Sequence, residues 1–235
     1  MIPPGFEASW TATWPAAEYA REGGFLVARG EGGGGRVSAA RAVAAWTGDD
    51  IEAAEARHHA WGQPPLFAVG DRALAEALAG RGYRESDPTA ILSASVAHLA
   101  EPPIPSVTAM ECWPPLAIQR DLWAQTGIGP ERQAIIGRAQ GPKTAILGRT
   151  QDRAAGIAFV AVHGPVAMLH AMAVLPEWRG RDLGAWMVRR AARFAQGQGA
   201  RDLALAVTRA NAPALRLYHR MGFTETGGYA YWRRG

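Results

Sequence analysis

The chain has a single cysteine, Cys112, among 235 residues. An internal disulfide is therefore impossible, and a reducing, cytoplasmic location is the expectation. Lysine is as scarce: Lys143 stands alone among 25 basic residues, so the net charge of +4 is carried by arginine. No apolar run reaches the roughly 18 residues of a membrane-spanning helix. The opening MIPPGFEASW lacks the basic start and apolar stretch of a signal peptide. Six histidines and one cysteine show no metal-ligand spacing, and no nucleophile-elbow pattern is present. The glycine run Gly30 to Gly35 lacks the Gly-Lys-Ser/Thr ending of a phosphate loop, so it reads as a flexible hairpin connection. No basic run of a nucleic-acid binder occurs. A hydrophobic fraction of 48% is ample for a core.

What is present centres on Met168 to Ala185, MLHAMAVLPEWRGRDLGA. Val166 to Val174 is almost continuously apolar, with His170 its one clearly polar side chain, and suits a strand buried on both faces. Pro176 has no N–H to give and ends the ladder. Leu183, Met187, Ala191 and Phe194 then recur at helical spacing. The start of a helix offers about four N–H groups without internal partners, together with the positive end of the dipole. Two arginines and two glycines at that start make a turn suited to phosphate.

The segment Arg179-Gly180-Arg181-Asp182-Leu183-Gly184 resembles the acyl-coenzyme A binding turn of the GCN5-related N-acetyltransferases (GNAT). That pattern is Arg or Gln, two residues, Gly, one residue, then Gly or Ala. Asp182 stands where the first motif glycine is usual. Asn211, Leu217-Tyr218 and Gly222-Phe223 resemble the closing pattern of the family in order and spacing. The resemblance covers Ser106 to Arg234. It implies an α/β fold: a mixed, mostly antiparallel, twisted sheet flanked by helices. It also implies acetyl-coenzyme A as cosubstrate, no metal, and an amine as acceptor.

The first hundred residues read as their own unit. GGFLVARG and RVSAARAVAAW suggest the arms of a hairpin. Asp49 to Trp61 suggests a helix, Pro65 to Val69 a strand and Ala73 to Gly80 another helix. Pro64 to Asp87 reads as a weak internal copy of Asp202 to Gly227, each running strand, turn, helix, Gly-aromatic. Residues 1–100 are thus expected to be a smaller, degenerate GNAT-like half without a cofactor site. The proline-rich Glu101 to Pro105 marks the boundary, and residues 106–235 the transferase domain. There, Thr108 to Thr126 is expected to be helical on both sides of Pro114-Pro115, with a second short helix from Pro130 to Arg138. Trp113 and Trp123 suit either an acceptor pocket or the core. Three antiparallel strands should follow, then a helix from Arg179 to about Gln196. Beyond it come a strand from Leu203 to Val207, a helix from Ala212 to Met221, and a final hairpin around Gly227-Gly228.

The chemistry then distributes over named residues. The resemblance assigns coenzyme A to Met172, Ala173 and Val174, to the turn from Arg179 through Gly180, Arg181, Asp182, Leu183 and Gly184 to Ala185, and to Asn211 and Tyr218. It makes Tyr218 the acid that protonates the leaving thiolate, a role its phenol fits by being protonated at neutral pH. Against this, Tyr218 also suits simple helix packing and Asn211 a helix N-cap. His170 is the candidate base, since a neutral imidazole accepts a proton directly or through water; a hydrogen-bonded core histidine is the plainer alternative. Asp182→Gly is expected to tighten coenzyme A binding and slightly to lower stability. The acceptor is an amine on a small molecule or peptide, with no nucleic acid or membrane partner, and a homodimer is compatible with the chain. The other reading is a non-catalytic acyl-coenzyme A binding or regulatory protein.

Overall fold

The structure is a computed structural model that describes residues 2–3 and 5–234. Its first part runs α1 (Glu7–Thr13), β1 (Glu18–Glu22), β2 (Phe25–Arg29), α2 (Gly35–Ser38), β3 (Arg41–Ala42), α3 (Gly48–Ala60), β4 (Leu66–Val69), α4 (Arg72–Gly80), β5 (Tyr83–Ser95) and α5 (Val96–Ala100). Then follow β6 (Ala109–Cys112), α6 (Ala117–Gln125), α7 (Pro130–Arg138), β7 (Lys143–Thr150), β8 (Arg153–His163), β9 (Val166–Val174), α8 (Leu183–Gly197), β10 (Asp202–Thr208), α9 (Ala212–Arg220) and β11 (Thr224–Arg234). Strands β1-β2-β3 form a small antiparallel sheet, and eight strands form the main one in the order β4-β11-β5-β10-β9-β8-β7-β6. Among the described residues, β9 and β10 are the one parallel strand pair of the main sheet. Among the described residues no helix is long and apolar enough to cross a membrane.

The centre of the main sheet joins both parts of the chain. The units β4-α4-β5 and β10-α9-β11 each give their last strand to the other: β5 lies between β10 and β11, and β11 between β4 and β5. Their helices begin alike, with Asp71 accepting from Leu74 N–H (2.9 Å) and Asn211 accepting from Ala214 N–H (3.2 Å). These caps satisfy one orphan donor each.

Two layers cover the sheet. On one face α8 buries Leu183, Met187, Val188, Ala191, Ala192 and Ala195 against Ala167 and Leu169 of β9, with Tyr218 of α9 and Met221 just after it beside them. Burying each large side chain contributes about 1.5–3 kcal/mol. The helix sits very close: a Cβ at Gly156 would come within 2.7 Å of Met187 Sδ. On the other face Trp14 just after α1, Trp123 of α6 and Ile135 of α7 pack on Ile157 and Phe159 of β8.

Several expected elements differ. Ala109–Cys112 is not helical but pairs with β7 as an edge strand; the free side of β7 offers hydrogen bonds that an isolated turn cannot match. The residues expected to form a last hairpin make one strand instead. Glu225 pairs with Leu92 and Gly227 with Ile91, so Thr226 is a bulge and the glycines bend the strand rather than reverse it. The second arm of the first hairpin shrinks to β3, because Arg36 to Ser38 wind into α2; β2 finds its longer partner in β1. Helix α8 starts at Leu183, not Arg179, since Gly180 (φ 73°) and Asp182 (φ 56°) are left-handed. Pro176–Trp178 form a 3₁₀ turn before them.

Candidate functional site

The site begins with a defect in β9. Phe159 pairs with His170 and Ile157 with Ala173, so Ala171 and Met172 stand opposite Ala158 alone. Ala171 takes φ 48°, and Trp123 Nε1 donates to its carbonyl at 2.9 Å. The bulge changes which residues face α8. Ala167 and Leu169 pack there before it, Met172 and Val174 after it. It also coincides with a parting of strands: β10 pairs with β9 only from Val166 to Leu169. Beyond that point the edge of β9 is open. Leu175 N–H turns to Ala155 of β8 (2.9 Å), so strand alternation turns the peptide groups of Val174 to the open side. Arg179 Nε donates to the Val174 carbonyl there, at 3.0 Å.

This opening continues into a cleft of about 590 Å³ bounded by the end of β9, the turn before α8, and α9. Met172, Ala173, Val174, Arg179, Gly180, Asp182, Leu183, Gly184, Ala185, Asn211 and Tyr218 all line it. The expected cofactor residues are thus brought together with one exception, Arg181, whose guanidinium lies 5.0 Å from the Trp178 ring centroid. The sequence reading missed Trp178, Arg216 and Arg220, which also line the cleft. Arg216 and Arg220 are four residues apart on α9, a spacing that puts both on one face and was readable beside Tyr218.

The mouth of the cleft fits an anion. Asp182 is exposed and makes no side-chain cap to α8, so the first N–H groups of the helix keep their capacity for an outside acceptor. A Cβ at Gly184 would lie 3.1 Å from Leu217 and 3.3 Å from Met172, which keeps that position small. The left-handed backbone at Asp182 explains why glycine suits the position. It also opposes the stability loss expected for Asp182→Gly, because glycine relieves strain there rather than loosening a helical residue.

At the inner end Tyr218 is buried, its ring 5.5 Å from that of Phe223 and its hydroxyl 3.8 Å from Met172 Sδ. Burial pushes its pKa up to about 12. The phenol is a proton holder with only a weak sulfur acceptor beside it. Among the described residues, no cluster of three or more His, Cys, Asp or Glu could hold a metal ion.

His170 is elsewhere. It precedes the bulge and faces α1, where its ring lies 4.9 Å from Trp14 and 6.0 Å from Phe159. Nδ1 accepts from Arg36 Nη1 (3.1 Å), and Nε2 donates to Thr13 Oγ1 (3.0 Å). Thr13 donates onward to the Ser9 carbonyl (2.6 Å). Burial and the neighbouring Arg36 hold its pKa well below 6.5. Both nitrogens are engaged, and His170 does not line the cleft. The structure does not join it to Tyr218.

An opened parallel strand pair, a bulge beside it and an uncapped helix start are the arrangement of a GNAT-like fold. Residues 108–223 match the family model described as Acetyltransferase (GNAT) family, and this part of the chain belongs to that family. Over 54 residues, 23% of this chain and 29% of the relative, it is 48% identical to the streptothricin acetyltransferase of Streptomyces lavendulae. The match thus spans less than a third of that relative. The fold resembles a GCN5-related N-acetyltransferase from Kribbella flavida, with a TM-score of 0.75 at 19% identity over 97% of this chain and 93% of that one. It also resembles a tandem GNAT protein from the clavulanic acid biosynthesis pathway, with a TM-score of 0.60 at 15% identity over 96% and 86% of the two chains. That likeness accords with the paired units of the main sheet.

Proposed function

We propose that the protein transfers an acetyl group from acetyl-coenzyme A to a primary amine by direct attack on the thioester. The observation that carries this reading is the meeting of the opened β9 edge, the uncapped start of α8 and Tyr218 in one cleft. Bound acetyl-coenzyme A would supply a thioester whose acyl carbon is open to a neutral amine. The first turn of α8 with Arg179, Arg216 and Arg220 would hold its phosphates. The open edge of β9 would pair with its amide arm as an added strand once Arg179 releases the Val174 carbonyl. A backbone N–H from Met172 to Val174 would steady the carbonyl oxygen as charge develops on it. Tyr218 would hold the proton that the departing sulfur needs. The buried hydrogen-bond chain at His170 supports a positioning role rather than proton abstraction. Residues 106–235 would carry this unit, and residues 1–100 a companion unit without a coenzyme A site.

The test is release of free thiol from acetyl-coenzyme A across a panel of amines, from small molecules and cationic antibiotics to peptides. Amine-dependent release that stops with Tyr218→Phe is the expected outcome. Saturable coenzyme A binding with no release for any amine would replace this reading with the non-catalytic one. The carboxylate of Asp182 at the phosphate turn is the feature that favours that second reading.

A further inference from the structure

A second cavity, of about 900 Å³, lies between the N-terminal half and β11. It opens where β3 leaves β4. The chain meets β4 at Ala40, the residue before β3, whose N–H donates to Leu66 O (2.8 Å) and whose carbonyl accepts from Ala68 N–H (2.9 Å). Their pairing stops there, as that of β9 and β10 stops at Leu169. By position in the repeat, the slot corresponds to the coenzyme A cleft. Its mouth is built differently. Thr47 Oγ1 accepts from Asp50 N–H (3.4 Å) while Asp50 Oδ2 accepts from Thr47 N–H (2.9 Å). This capping box closes the first turn of α3, and Asp49 adds a further carboxylate. A phosphate there would meet occupied donors and negative charge.

The inner wall is positive instead. Arg36 of α2 lines the cavity, with its guanidinium 3.6 Å from the centroid of the Trp10 ring. It donates to His170 and, at 3.6 Å, to Met168 Sδ, a weak acceptor, while its Nε has no partner. Among the described residues no carboxylate lies within ion-pair distance of it. Burial lowers its pKa from 12.5 to about 10, which leaves it a cation at neutral pH. Arg41, a second cation in the lining, donates to Thr11 Oγ1 at 2.7 Å. The lining also holds Glu7 and Asp71, but each is turned to backbone: Glu7 accepts from Gly5 N–H (2.9 Å), Asp71 from Leu74 N–H. A half-buried cation with no counter-charge, its Nε buried and unpartnered, is unfavourable. Its retention, with His170 and Thr13 arranged to aim it, marks a place for an anion that the chain does not supply. Trp14, Tyr19, Tyr229 and Tyr231 make the remaining walls broad, flat and largely apolar. Such walls with a few placed polar groups are typical of small-molecule sites.

We propose that this cavity binds a small organic acid, its carboxylate facing Arg36 and its flat apolar body between the tryptophans and tyrosines. A polyphosphate is disfavoured, because the first turn of α3 is closed by its own capping box and the lining, among the described residues, holds two cations, Arg36 and Arg41. The inference does not rest on the acetyl-transfer reading, and its readout is binding alone. Trp10, Trp14 and Trp46 line the cavity, so tryptophan emission reports occupancy. The probes are phenylacetate and 4-phenylbutanoate, each titrated beside its neutral primary amide. Carboxylates should saturate, bind at least about tenfold more tightly than their amides, and lose affinity as salt rises. Arg36→Gln should abolish the preference while Arg72→Gln, on the exposed face of α4, should not. Equal affinity of acid and amide in the wild-type protein would overturn the proposal, as would no binding of either at millimolar concentration. That comparison holds even if Arg36→Gln does not fold. A preference that survives Arg36→Gln would place the anion elsewhere and also overturn it. Excess coenzyme A should leave the titration unchanged; displacement would put the probes in the α8 cleft and reject this site.

Discussion

Tyr218 keeps its proton throughout the neutral and mildly alkaline range, because burial raises its pKa to about 12. If it is the acid, Tyr218→Phe should slow turnover by about 10²-fold or more. Coenzyme A affinity, read by calorimetry, should hardly move, since the ring that packs on Phe223 remains. Undiminished turnover where chemistry limits the rate would remove Tyr218 from the mechanism. His170 makes a different prediction. Its folded pKa lies well below 6.5, the ordinary value that the unfolded chain retains. The unfolded state therefore takes up the proton first as pH falls. The stability His170 contributes is complete above pH ~6.5 and is lost below it. His58, lowered chiefly by burial, acts in the same direction. Melting temperature should fall as pH is lowered from 7.5 to 5, and His170→Gln should flatten part of that fall, since the amide offers both donor and acceptor without titrating. A slope identical to the wild type would show that His170 does not titrate in this range. Tyr218 and Asn211 were legible because family spacing fixes them within one local segment. The partner of His170 was not, because Arg36 lies 134 residues away and no local pattern announces it.

The elements that bear on the cleft are a bulged strand and a helix whose first residue follows a left-handed one. At Asp182 two effects oppose. Replacing it by glycine removes a charge near the positive end of α8, a loss of about 0.3–1 kcal/mol. It also relieves a left-handed backbone that costs an ordinary residue roughly 1–2 kcal/mol, though aspartate less. Stability of the unliganded Asp182→Gly protein should therefore be unchanged or slightly higher in thermal melts. Coenzyme A should bind about two- to fivefold more tightly at low salt, the gain shrinking as salt rises. Equal affinity at every salt concentration would show that the carboxylate does not oppose the phosphates. Segments with one strong periodicity were read well. Val166–Val174 and Pro130–Arg138 were placed at the residues where they lie. The errors fell where pairing with a distant strand decided the outcome, as in β6 and β11, or where a backbone turn is invisible in residue type, as at Ala171 and Asp182.

At the scale of the whole molecule, the exchange of β5 and β11 governs behaviour. Without β4 and β5, strands β10 and β11 have no common neighbour, and Ile91, Leu92 and Ala90 leave the core. A fragment comprising residues 106–235 should therefore fail to give a cooperative melt. Adding residues 1–100 in trans should restore it. A fragment that melts cooperatively alone would show the two units to be independent. The repeat was legible in the sequence as two similar strand-helix-strand units. The exchange was not, because each unit fits its own last strand as well as the other's in pattern. The same exchange has a consequence during synthesis. When β4 and β5 have left the ribosome, the slot between them waits for a strand that is translated last of all in the sheet, and Thr89 meets Tyr229 only then. Apolar strand edges of the nascent chain stay unpaired over most of translation, which exposes them to premature association. A chaperone that shields β5, or a slow codon stretch ahead of β11, would change the yield of this protein without touching its stability once folded.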